Sequence, residues 1–164
     1  MLKIYIMLLL TAQLFSATDL KKVWNNMYQE QRESIYQSYE AGVDYNLGYT
    51  LAAINWQESV GGVYQISMDY HDFGIYHINI KWYLRGEKIK DTMWNRSKYS
   101  TFILTHPKVS EIYVISKLQN ILRSNGNNFY KTWWKYNGSK VYAKDIHDKV
   151  IFLKKVFKLK YEEK

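Results

Sequence analysis

The chain has 164 residues, 47% of them hydrophobic, and its 23 Lys and Arg against 15 Asp and Glu give a formal net charge of +8. A single Pro and eight Gly argue against a long disordered linker, and the absence of Cys excludes disulfides, a thiolate nucleophile and a Cys-ligated metal. The charge suits an anionic partner, but there is no arginine-rich stripe and no nucleic-acid signature, so no nucleic-acid partner is expected.

The chain opens with MLKIYIMLLLTAQLFSATDL. One Lys, an apolar run over residues 4–15 and the small residues Ser16 and Ala17 follow the order of a secretory signal. The run falls short of the ~20 residues that span a membrane. Residues 1–17 are therefore expected to be a signal peptide, with no stable membrane insertion after its cleavage; an uncleaved anchor or a buried first helix is the alternative. Residues 18–157 read as one domain, and 158–164 as a charged tail.

The segment TDLKKVWNNMYQEQRESIYQSYEA reads as one helix, capped by Thr18 or Asp19, with Leu20, Val23, Trp24, Met27, Tyr28, Ile35 and Tyr39 at helical spacing. A turn over residues 42–46 leads to a second helix, LGYTLAAINWQ, ending at Glu58. Residues 61–82 are rich in Gly, β-branched and aromatic residues, and read as a loop with short strands. Pro107 suits the first turn of the helix in KVSEIYVISKLQNILRS. SNGN breaks it, NFYKTWWKY forms a short helix stopped at Asn137 and Gly138, and SKVYAKDIHDKVIFLKKVFKLKYEEK forms the last. The sum is an α+β domain, mainly helical, with a small strand-and-loop insert after the second helix.

Glu58 is the only acid between Asp44 and Asp69. A helix C-terminus carries partial negative charge, which disfavours a carboxylate, and neighbours such as Ile54 and Trp56 can exclude water. Both effects raise a carboxyl pKa. A protonated carboxyl in an aromatic cleft is the general acid that glycosidic cleavage needs. An exposed, ordinary Glu is the competing reading, and position alone does not decide between them.

Three segments decide it together. The pair Glu58 and Ser59, the stretch GIYHIN at 74–79 and the stretch KYNGSKVYAKDI at 135–146 stand in the order of catalytic Glu-Ser, Gly-Leu-Met-Gln-Ile-Asn and Ala-Tyr-Asn-Gly with a following Tyr. In this the chain resembles the lytic transglycosylases and their lysozyme relatives, of the small exported type associated with secretion systems, over about residues 20–150. Tyr76, His77 and Lys135 depart from the family pattern, and His77 titrates where the family's Gln does not.

The resemblance implies a lysozyme-like fold and a periplasmic, cell-wall-associated protein. Its substrate would be the β-1,4 bond between N-acetylmuramic acid and N-acetylglucosamine in peptidoglycan. Glu58 would serve as acid and then base, yielding a 1,6-anhydro sugar. It also implies that Tyr136 orients Glu58, that Ser59 supports it or caps the helix, and that Ile75, Tyr76, His77, Ile78, Asn79 and Asn137 contact substrate. Trp82, Tyr83, Trp94, Trp133 and Trp134 are candidate sugar platforms. Asp72 also matches the animal lysozyme stretch that carries a second carboxylate; a hydrolytic muramidase using Glu58 and Asp72, with carboxyls ~5 Å apart, therefore stays open. So does an inactive glycan-binding assembly protein. A secretion or pilus machine is the partner that small size suggests. Four His, at 71, 77, 106 and 147, form no i, i+4 pair, so neither metal nor cofactor is expected.

Overall fold

In the computed structural model, residues 17–162 are described; the expected signal segment lies outside them except for Ala17. Helices α1 (Ala17–Asn26), α2 (Gln29–Gly42) and α3 (Gly48–Ser59) come first, with a 3₁₀ turn at Val43–Tyr45 between the second and third. Strands β1 (Asp72–Phe73) and β2 (Ile78–Asn79) follow, then α4 (Ile80–Gly86), α5 (Met93–Thr105), α6 (Pro107–Ser124), α7 (Phe129–Asn137) and α8 (Lys140–Glu162). The described chain is thus mainly helical with one small antiparallel sheet, as its patterning predicts. None of the described helices is long and apolar enough to cross a membrane.

Helix α3 is the axis of the fold. Leu51, Ala52, Ala53, Ile54, Asn55 and Trp56 are all buried, so the helix has no solvent face over that stretch. Burying Leu51 and Ile54 contributes about 1.5–3 kcal/mol each. Helices α2 and α8 pack along it. Close packing of α2 on α3 depends on Gly48, where an added Cβ would stand 2.9 Å from the Tyr39 ring. Behind α3, Trp24, Trp56 and Phe152 form an aromatic cluster with ring centroids 5.4 to 6.0 Å apart.

The single first helix expected over residues 18–41 is two helices. Gln31 accepts a hydrogen bond from the Tyr28 backbone N–H at 2.8 Å, and Arg32 donates to the Met27 carbonyl at 2.7 Å. These side chains satisfy the backbone groups that the break exposes, which is why apolar spacing alone missed it. Thr18 and Asp19 lie inside α1 rather than before it. The last helix also runs past residue 157, through Glu162, so the backbone of the expected tail is helical up to that point.

The insert is smaller than its composition suggests. Asp72 pairs with Asn79 and Phe73 with Ile78, and Ile66 adds an isolated bridge to Phe73. Residues 80–82, expected to continue the strand region, begin α4 instead. Asn79 caps that helix by accepting from the Trp82 N–H at 3.3 Å. Helix α5, capped by Thr92, has no counterpart in the sequence reading. The later helices follow their local signals: Pro107 opens α6, and Gly138, at φ 88°, closes α7.

Candidate active site

A buried polar chain fixes the end of α3. Ser38 on α2 accepts from Asn55 Nδ2 at 2.8 Å and from the Tyr76 hydroxyl at 2.9 Å. Ser59 Oγ donates to Asn55 Oδ1 at 2.9 Å and accepts from the Gly62 N–H at 2.9 Å. Gln31 on α2 donates to the Val60 carbonyl at 2.8 Å. Gly61 sits against Gln31 so tightly that a Cβ there would lie 2.6 Å from the Gln31 carbonyl oxygen. Val60 itself is left-handed at φ 54°, a costly conformation of roughly 1–3 kcal/mol for a β-branched residue. The last turn of α3 is therefore locked from below, and Glu58 projects from it on the other side.

Glu58 enters a cleft of about 760 Å³ between the insert, α4, α6 and α7, lined also by Asp72, His77, Ile78, Asn79, Trp82, Arg85, Gly86, Tyr113, Lys117, Lys135, Tyr136 and Asn137. The structure thus brings Glu58, Asp72, His77, Ile78, Asn79, Tyr136 and Asn137 to one place. Three other candidates lie elsewhere. Tyr76 is wholly buried and bonded to Ser38, so it is a core residue and not a cleft wall. Ser59 is buried beneath the helix end, where its hydroxyl is used up by Asn55 and Gly62. Ile75 faces a separate groove shared with Ser34, Gln65 and Glu111. Strand alternation would set Ile75 with His77 on one face and Tyr76 with Ile78 on the other; the left-handed turn at His77, φ 46°, breaks it, and the adjacent His77 and Ile78 both reach the cleft.

Of the aromatic candidates only Trp82 lines the cleft. Tyr83 and Trp133 are buried, the latter donating to Thr50 at 3.2 Å, and Trp94 and Trp134 are exposed away from it. Trp82 carries the Arg85 guanidinium 5.3 Å from its ring centroid. Tyr136 carries the Lys117 ammonium at 4.4 Å. Loss of solvent holds Lys117 below the usual lysine range, against the pull of Glu58 and Asp72. No carboxylate lies within ion-pair distance of Arg85, Lys117 or Lys135 among the described residues.

Glu58 has a basic neighbour. Its Oε2 lies 3.5 Å from His77 Nδ1, and both side chains are mostly covered, at 17% and 15% exposure. His77 Nε2 stands 2.7 Å from the Tyr64 carbonyl oxygen, which can only accept. Burial acts against the imidazolium, but the Glu58 contact and the Tyr64 carbonyl outweigh it and raise the His77 pKa. Asp72 accepts from Asn79 Nδ2 at 2.8 Å, which ties that carboxylate to the sheet.

Tyr136 is half-buried in the cleft wall but makes no hydrogen bond to Glu58 among the described contacts. Tyr142 on α8, stacked 6.4 Å from Tyr136, has a buried hydroxyl with no partner of good geometry. Burial first, then the Glu58 charge, push both phenols well above their ordinary pKa, so each stays an O–H donor. Sequence reasoning noted Tyr142 only as a following tyrosine; a ring four residues from Gly138 and packed on α7 was its signal. Lys117 gave none, since it sits among the ordinary polar positions of α6. No family model, no curated protein and no solved structure matches the chain.

Proposed function

We propose that the protein is a peptidoglycan lytic transglycosylase of lysozyme-like architecture, exported to the periplasm and working on the cell wall. The observation that carries this reading is convergence. Three segments far apart in sequence, at Glu58, at 77–79 and at Tyr136 and Asn137, line a single cleft of sugar-binding dimensions. Trp82 gives that cleft a flat apolar surface, and the unpaired cations suit a polymer whose peptide stems carry carboxylates.

In this reading Glu58 gives its proton to the glycosidic oxygen as the bond from C1 breaks, and the electron pair leaves with that oxygen. The N-acetyl carbonyl of the muramic residue stabilises the positive charge at C1. Glu58, now a carboxylate, takes the proton of the C6 hydroxyl, and O6 closes onto C1. The product is a 1,6-anhydro end, no water is consumed, and Glu58 finishes as it began. A small wall-opening role beside a secretion or pilus machine fits such an enzyme.

A hydrolytic muramidase is the second reading, since Asp72 lines the same cleft. Its carboxylate is engaged by Asn79, which suits a strut better than a nucleophile. Mass spectrometry of digested peptidoglycan separates the two: anhydro ends are expected, and reducing ends would transfer the assignment to hydrolysis. Glu58→Gln is expected to lower cleavage by roughly 10²–10⁴-fold, the usual worth of a general acid, with folding and glycan binding retained. Equal cleavage by this variant and the parent would end both enzymatic readings.

A further inference from the structure

We propose that His77 is the proton reservoir of Glu58: the His77 Nδ1 and the Glu58 carboxyl share one proton. The assignment of His77 to this role rests on the glycan-cleaving reading of Glu58; the shared proton itself does not.

The geometry fixes which nitrogen is available. The Tyr64 carbonyl requires a hydrogen on Nε2. In the neutral ring Nδ1 is then bare, and it faces Glu58 Oε2 across 3.5 Å. That gap is an ion-pair distance, and it closes to a hydrogen bond with a small rotation of either side chain. One proton has two places: on Nδ1, giving imidazolium and carboxylate, or on Oε2, giving neutral imidazole and carboxylic acid. The Tyr64 carbonyl, 2.7 Å from Nε2, holds the far side of the ring and keeps Nδ1 turned toward Glu58.

The surroundings favour retention of that proton. Asp72, from β1, adds negative charge near His77, and the raised pKa of the imidazole reflects Glu58, the Tyr64 carbonyl and Asp72 acting against burial. Lys117 from α6, Arg85 from α4 and Lys135 from α7 line the same cleft and oppose the charge, while Tyr136 and Tyr142 remain neutral. If the pair begins as imidazolium and carboxylate, Nδ1 passes its proton to Glu58 and Glu58 passes it on to the glycosidic oxygen as the bond from C1 breaks; if it begins as neutral imidazole and carboxylic acid, Glu58 gives the proton directly. The C6 hydroxyl later returns one proton to the pair, so the count is restored without another reactant.

Two measurements test this on the full chain. The His77 ring is followed by NMR against pH in the parent and in Glu58→Gln. The midpoint is expected to move to lower pH when the charge is removed; an unchanged midpoint overturns the shared proton. The second is kcat/KM against pH for the parent, His77→Gln and His77→Asn, each normalised to its own maximum. Asn tolerates the left-handed backbone and guards against a folding defect in the Gln variant. The alkaline limb is expected to move to lower pH in both variants. A limb that stays in place in both overturns the reservoir role. If the parent cleaves no peptidoglycan at any pH, the proposed function fails, and the NMR titration alone decides whether the proton is shared.

Discussion

The two ends of α3 both open onto cavities, and they differ in kind. At its N-terminal end, Tyr39, Tyr49, Phe129, Tyr130, Trp133 and His147 line an apolar pocket of about 570 Å³ that contains no carboxylate. At its C-terminal end the 760 Å³ cleft holds two carboxylates, a histidine and three cations free of ion pairs with any described carboxylate. Aromatic side chains are abundant at both ends, so they do not mark the site. What marks it is a cluster of charged side chains of both signs, beside a helix end that the fold has gone to some cost to lock.

The largest effect on the fold is expected from cutting that lock. Asn55 is fully buried and joins Ser34, Ser38 and Ser59. Asn55→Ala leaves several buried polar groups without partners, at about 1–3 kcal/mol for each one stranded. Thermal or urea unfolding is expected to show a loss of roughly 2–4 kcal/mol, and cleavage in the surviving folded fraction should fall because Glu58 loses its platform. The matching cut at the other end is Tyr130→Ala, on a ring 42% exposed. That variant should lose under about 1 kcal/mol and leave cleavage within twofold, by the same order-of-magnitude reasoning. Equal effects of both cuts on cleavage would erase the distinction between the ends.

That asymmetry also explains what the sequence revealed. Glu58 at the end of an apolar helix, Pro107 at the start of α6 and Gly138 after α7 are local signals, and local signals survive folding. The break between α1 and α2 depends on where Gln31 and Arg32 reach, which apolar spacing does not encode. Residues 80–86 were too short a segment for periodicity to separate helix from strand, and Asn79 capping decided it. In the site, Asp72, His77, Asn79, Tyr136 and Asn137 were legible through motif order. Tyr76 was misplaced because the partner of its hydroxyl, Ser38, lies on another helix, whereas Ser59 takes the helix-end role that was its alternative. The contact between His77 and Glu58 was invisible, since it needs the left-handed turn at 77 and the Tyr64 carbonyl together.

A smaller effect should follow from Tyr142→Phe. The hydroxyl is buried beside Glu58 with no hydrogen bond of good geometry, so its removal is expected to change stability by less than about 1 kcal/mol, or to raise it slightly. If that O–H is held for Glu58 once the carboxylate forms, kcat should drop about tenfold while KM changes little. Tyr136→Phe is the companion measurement. With no bond from Tyr136 to Glu58 in the free protein, its kcat loss should be the lesser of the two. The reverse ranking would return the orienting role to Tyr136.

The smallest effect is a pH dependence of stability carried by His77. Its pKa is raised on folding, so the folded state binds the imidazole proton more tightly than the unfolded chain does. The resulting stabilisation is complete below the unfolded histidine value, near 6.5. It is lost as pH rises through the folded value, because the folded state must then release a proton that the unfolded state has already given up. Parent Tm should therefore decline across the pH range just above 6.5, and His77→Asn should flatten that decline without abolishing it. His147, on the apolar pocket at the far end of α3, faces no carboxylate there, so His147→Asn is the control. Should His147→Asn flatten the decline as much as His77→Asn does, the coupling of His77 to Glu58 would contribute nothing to stability, and the contrast between the two ends of α3 would be one of shape alone.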